Sequence, residues 1–194
     1  MSEVERRIRI LEVIDADAAR TRTLRVFCMR VARMIDVEEC RTCPNNVGVA
    51  SDCVKCVVPD EPDRSGPNTP VALVSIAHVT SARADARVAA LMSVIQPPWL
   101  VPLVDDADRF VGFVSSSSLA ASTWPSRVAV LMRLRDLAFG SSLMIHESAT
   151  LREALHMMAY RRTRWVAVVD SDGRLQGMLS DVDALSSLGA MGPK

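Results

Sequence analysis

The chain has 194 residues, of which 49% are apolar, 24% charged and 4% aromatic, enough apolar material for one domain or two small ones. Lys plus Arg and Asp plus Glu each total 23, so net charge exerts no global pull toward nucleic acid or a membrane surface. No apolar run reaches the length of a membrane span, and MSEVERRIRI lacks the apolar stretch of a signal peptide. These features predict a cytoplasmic protein whose five cysteines stay reduced and available to a metal.

In chain order, Val4, Ile8, Leu11 and Ile14 fall at rough helical spacing with Glu and Arg between them. That spacing predicts a short amphipathic helix or a loose arm over residues 1–20. Residues 21–59 differ in character, and the alternation in TLRVFCMRVARMIDVEEC suits a hairpin. Arg20, Arg22, Arg25, Arg30 and Arg33 have no acid among them. The acids that follow closely (Asp36, Glu38, Glu39) and the single nearby aromatic, Phe27, argue against nucleic acid and for a solvated face or a protein partner.

The same segment holds Cys40-Arg-Thr-Cys43 and Cys53-Val-Lys-Cys56. A C-x-x-C turn lets two sulfurs face one ion at about 2.3 Å, and a second pair closes a tetrahedron. Cys28 offers an alternative set, with Cys40, Cys43 and Cys53, leaving Cys56 spare. The prediction is a closed structural site in a small cysteine-rich ribbon, using four of Cys28, Cys40, Cys43, Cys53 and Cys56. Zinc suits four thiolates, and iron in a rubredoxin-like centre would take the same ligands. A redox dithiol fits less well, because the C-x-x-C motifs do not open a helix after a strand.

Residues 60–70 are rich in proline and read as a linker. Beyond it the chain repeats itself. A shift of 65 residues, without a gap, pairs Asp105 with Asp170, Arg109 with Arg174, Gly112 with Gly177 and Ser115 with Ser180. Repeat one spans 71–122 and repeat two spans 141–190, with an amphipathic helix over 123–140 between them. Each repeat reads as strand, helix, strand, strand, helix. Repeat one has a strand over Ile76–Val79, Asp85 as N-cap of a helix over 86–94, a Pro97-Pro98 break, and strands Trp99–Val104 and Arg109–Val114. In repeat two, Leu143–Ile145 is the first strand, and Thr150 and Glu153 form a capping box before the apolar stripe Leu151, Ala154, Leu155 and Met158. Trp165–Asp170 and Leu175–Leu179 flank the turn Ser171-Asp172-Gly173, and Ser180 is placed to cap the last helix. One unit has too little apolar surface to stand alone, so the two should pack sheet against sheet. The predicted fold class is α+β, two tandem β-α-β-β-α units preceded by the cysteine ribbon.

These residues resemble a known family. SATLREALHMMAYRRTRWVAVVDSDGRLQGMLSDVDAL, with its Gly-x-x-Ser-x-x-Asp ending, resembles a CBS domain, and the two repeats together resemble the pair called a Bateman module. The resemblance implies a regulatory module that binds an adenine nucleotide such as AMP, ATP or S-adenosylmethionine, and that assembles as a homodimer. It places the ribose on Ser180 and Asp183; Gly177 would let the backbone come close to the ligand, and Arg162 and Arg164, which precede the strand, are weaker candidates for phosphate contact. Repeat one departs from the pattern. Ser118 stands where repeat two has Asp183, so the resemblance implies at most one well-formed site. His78, His146 and His156 do not pair with cysteines at zinc-finger spacing, and no nucleophile elbow or Gly-rich phosphate loop occurs, so no enzyme activity is expected.

Overall fold

Residues 1–20 are extended, not helical. In the computed structural model, which describes residues 2–28, 30–58, 66–75, 78–95, 100–121 and 131–189, β1 (Ser2–Arg7) and β2 (Arg9–Ile14) replace the expected helix or arm. The physical reason lies in the alternation. From Glu3 to Ile8 exposed and buried positions alternate strictly, which is the period of a strand. β2 is then buried on both faces, because it runs between two neighbours in the middle of a sheet.

That sheet has six strands. Its order is β4 (Arg33–Asp36), β3 (Arg20–Cys28), β2, β7 (His78–Arg83), β8 (Leu100–Val104) and β9 (Phe110–Ser115). β2 pairs antiparallel with β3 and parallel with β7, in register Ile10 to His78 through Ile14 to Ala82. The N-terminal segment is therefore welded to the sheet of repeat one. A second sheet joins β1 antiparallel to β6 (Cys53–Val58), with β5 (Asn46–Val49) on the far side of β6. The short helix α1 (Val37–Arg41) follows β4 and is opened by a capping box of Asp36 and Glu39.

Repeat one continues from β7 into α3 (Val88–Met92), β8, β9 and α4 (Ser116–Ala121). Repeat two runs β10 (Met144–His146), α5 (Leu151–Arg161), β11 (Trp165–Val169), β12 (Leu175–Ser180) and α6 (Asp181–Gly189), and its three strands form a separate sheet. The Thr150–Glu153 capping box is formed, with the Glu153 amide donating to Thr150 Oγ1 at 3.2 Å. Asp85, the position equivalent to Thr150, caps nothing. In repeat one the helix starts two residues later than that alignment implies, after Arg87, with no side-chain cap.

The two sheets face each other across a shared core of Leu11, Val79, Val104, Phe110 and Phe113 against Ala167, Val169, Leu175 and Met178. A local two-fold relation is visible in the backbone. Phe110 N–H donates to Gly173 O at 2.9 Å, and Leu175 N–H, 65 residues after Phe110, donates to Asp108 O at 3.0 Å. Both hairpins carry a bulge at the same place, between Leu103 and Val104 and between Val168 and Val169. Asp105 and Asp170 each accept two turn amides at 2.9 Å.

The segments that precede the repeats are exchanged. Thr69 and the helix α2 (Val71–Val74) lie on repeat two, where Leu151 N–H donates to Thr69 O and Val71 is buried among Leu151, Val166 and Leu179. Residues 131–137 lie on repeat one, where Val88 N–H donates to Met132 O and Leu134 is buried among Leu91, Leu103 and Val114. Thr69 belongs to the expected linker, yet it is 2% exposed and packed. Within the expected connecting helix, Leu134–Leu137 is a single 3-10 turn and not an α-helix. Residues 60–65 of that linker, Ile76, Pro97-Pro98-Trp99 and 123–130 lie outside the described residues.

Candidate functional site

Ser180, the last residue of β12, is buried, and Asp183 lies in the first turn of α6. Ser180 Oγ accepts from the Asp183 amide at 3.0 Å and donates to Asp183 Oδ2. The hydroxyl thus caps the helix and also orients the carboxylate, which sits where the helix end favours negative charge. At the matching place in repeat one, Ser118 N–H donates to Ser115 Oγ at 3.0 Å and Ser118 Oγ donates to Ser115 O at 2.8 Å. That closed hydroxyl pair carries no carboxylate.

Gly177 is used for a close approach, though not an open one. A Cβ there would stand 2.9 Å from Ser75 Oγ, so the residue after α2 is seated directly on β12. Arg164 stands beside the Ser180–Asp183 pair, its carbonyl accepting from the Asp181 amide at 3.0 Å. Its exposed guanidinium pairs with Asp181 at 3.1 Å, and this partner holds the Asp181 carboxyl below its ordinary value. Arg162 sits at the left-handed C-cap of α5, exposed. The structure therefore brings Ser180, Asp183 and Arg164 to one strand end, places Gly177 in mid-strand against Ser75, and leaves Arg162 at the end of α5.

Three side chains tie the N-terminal strands to this region, two of them, Arg9 and Glu147, missing from the sequence reading. Arg9, buried in β2, donates to Ser75 O and to Ala72 O. Met34 N–H of β4 donates at 2.9 Å to Glu147 Oε2 in repeat two, and burial raises the Glu147 carboxyl while this amide pulls the other way. Arg25 Nη1 donates at 3.3 Å to Gln176 Oε1. The one available signal was a charge inside an apolar strand run, as in RIRILEVI, where Arg9 and Glu12 are both buried.

The cysteines form the second place of interest. Cys28 at the end of β3, Cys40 in α1, Cys43 just after it and Cys56 in β6 line one cavity of about 40 Å³. The Cys40 thiol is pushed up to about 11, by burial first and then by Cys28, Cys43 and Cys56. Cys53 stands apart, beside Asp52, Glu5 and Lys55. Both four-cysteine sets expected from the sequence include Cys53, and neither matches this grouping. The reason is that a C-x-x-C on a strand points its two side chains to opposite faces, because residues three apart have opposite parity. Among the described residues, no group of three or more His, Cys, Asp or Glu side chains stands ready to hold a metal ion in the present rotamers.

Comparison with known proteins gives a likeness over part of the chain. The family model for the CBS domain matches residues 134–190. No curated protein matches by sequence. Solved CBS structures resemble the chain over a larger share of its length. One is the CBS domain of a bacterial CNNM/CorC family Mg2+ transporter in complex with ATP, at 16% identity and TM-score 0.55, covering 63% of this chain and 89% of that one. A CBS domain pair/ACT domain protein from Thermotoga maritima gives 20% identity and TM-score 0.52, covering 64% of this chain and all of that one, 100%. CBSX2 in complex with AMP gives 22% identity and TM-score 0.53, covering 63% of this chain and 98% of that one. At these identities the likeness is one of fold. Among the described residues, no helix is long and apolar enough to cross a membrane.

Proposed function

We propose that the chain is a nonenzymatic regulatory module that binds one adenine nucleotide, of the AMP, ATP or S-adenosylmethionine class, at the β12–α6 junction. The observation that carries this reading is the Ser180–Asp183 pair. Its hydroxyl holds the carboxylate on the exposed side of a strand end, at a helix start. A carboxylate so placed can accept from both hydroxyls of a ribose, a charge-assisted arrangement that a serine cannot reproduce. Repeat one, with Ser118 in that position, is left without a ribose acceptor. The CBS structures solved with ATP and with AMP support the same ligand class. Arg164 pairs with Asp181 through Nε and is exposed, so its two terminal nitrogens can reach a phosphate while that pair holds. The module acts in the cytoplasm as a homodimer and passes its ligand state to a protein partner.

Thermal-shift titration with AMP, ATP and S-adenosylmethionine tests the reading, since a ligand at about 100 times its Kd stabilises the folded state by about 2.7 kcal/mol. Stabilisation by one of them that is lost in Asp183→Ala is expected. No response at millimolar ligand, or an equal response in the variant, would leave a ligand-free interaction module as the better account.

A further inference from the structure

The cysteine segment is not used by the nucleotide reading, and its geometry points elsewhere. We infer that Cys28, Cys40, Cys43 and Cys56, and not Cys53, form a tetrathiolate site for a single thiophilic divalent cation, zinc above all, which pins the N-terminal unit together.

Four observations converge. The four cysteines come from separate places in the chain, the end of β3, α1, the turn after it and β6, yet they line one cavity. At about 40 Å³ that cavity exceeds the ~10–15 Å³ that one water requires, so an ion fits. The Cys40–Cys43 pair lies on a tight turn, with Cys43 N–H donating to Cys40 O at 3.1 Å and Asn46 N–H to Cys43 O at 3.0 Å. Such a turn presents residues i and i+3 to one side, as a metal-binding C-x-x-C must. On β6, alternation sends Cys56 inward with Val54, which is 2% exposed and lines the same cavity. Cys53 goes outward with Lys55 and Glu5.

The surroundings suit the charge. Four thiolates around a dication leave a net charge of about −2 on the centre, which burial alone would penalise. Arg6, 4% exposed, lines the cavity and hydrogen-bonds Cys56, so a guanidinium stands where it offsets that charge and orients a ligand. The packing also leaves something for a metal to do. Among the described residues the apolar core here is Ile8, Val26, Ile35, Val37, Cys40 and Val54 with Cys28 and Val49 packed against it, and a unit this small is commonly stapled by a metal or by disulfides. Binding requires the thiols to change rotamer toward the cavity they share, since they are not arranged as a ligand set as they stand.

The test uses the full reduced chain. Cobalt(II) is titrated in as a spectroscopic probe and zinc content is measured after equilibration and desalting. About one equivalent of either metal, with the visible absorption of tetrahedral cobalt thiolate, is expected for the wild type and for Cys53→Ser. Cys28→Ser and Cys56→Ser should lose most of it. In case those variants fail to fold, alkylation of the native zinc-loaded wild type, mapped by mass spectrometry, supplies a second readout, with Cys53 labelled and the other four protected. Less than about a tenth of an equivalent of metal in the wild type, loss in Cys53→Ser equal to that in Cys56→Ser, or zinc-independent labelling of all five thiols would each overturn the assignment.

Discussion

Repeats one and two differ least where the backbone must turn and most where a ligand could sit. Asp105 and Asp170 accept equivalent turn amides, the bulges fall at equivalent places, and the two hairpins meet through equivalent hydrogen bonds. The strand ends diverge. Ser115 and Ser118 close on each other, while Ser180 steers a carboxylate. Packing and turn geometry constrain the first set of positions in both copies. Asp183, bonded to Ser180 through both its amide and its carboxylate, is present in one copy only, and the proposed nucleotide site rests on that difference. Helix capping differs in the same way, Thr150 serving as a cap while its equivalent, Asp85, is exposed and idle.

That contrast can be broken by mutation. The largest effect is expected where one repeat's leading segment fills the other's core. Leu134, fully buried in the core of repeat one, should cost about 2–5 kcal/mol as Leu134→Ala, read from urea unfolding. A single cooperative transition is expected, because the exchanged segments make the repeats interdependent. Two separate transitions would show independent units.

The two equivalent glycines should respond unequally. A Cβ at Gly112 would stand 2.9 Å from Phe139 O, a backbone atom that cannot move aside, so Gly112→Ala should cost about 1–3 kcal/mol. At Gly177 the obstacle is the Ser75 side chain, and Gly177→Ala should cost less. Pairing it with Ser75→Ala should recover part of the loss.

Glu147 has Ala82 as its equivalent, so its role belongs to repeat two alone. Burial raises its carboxyl, meaning the folded state holds that proton more tightly than the unfolded chain does. Its contribution to stability is therefore greatest below the ordinary carboxylate range and falls as pH rises through the raised folded value. Glu147→Gln keeps an oxygen for Met34 N–H and should flatten this dependence in unfolding measured from about pH 4 to 8. Glu147→Ala strands the amide and should cost about 1–3 kcal/mol. At the small end, Thr150→Ala should lose about 1 kcal/mol. Asp85→Ala should stay within about 0.5 kcal/mol, as for other exposed positions with no partner.

The repeats were legible because they are local. A fixed shift, turn residues and a capping box report on structure within a few residues. The N-terminal strands were not legible, because a parallel partner 68 residues away decides them, as Ile10 pairing with His78 shows. Val4, Ile8, Leu11 and Ile14 suited a helix, but β6 pairs with the first part of that stretch and β3 and β7 bracket the second. At the candidate site, the sequence placed Ser180 and Asp183 together and did not show that Arg164 pairs with Asp181 at the start of α6. The cysteine motif was read as four of five residues, either two C-x-x-C pairs or a set with Cys28 in place of Cys56. The two pairs differ because one lies on a turn and the other on a strand.

The central claim is one nucleotide site per chain, in repeat two. Calorimetric titration of the full chain with the nucleotide that gives the largest thermal shift tests it most directly. The account predicts one site per chain, unchanged in Ser118→Ala and weakened at least about tenfold, about 1.4 kcal/mol, in Asp183→Ala. Two equivalent sites per chain, or equal affinity in wild type and Asp183→Ala, would contradict it.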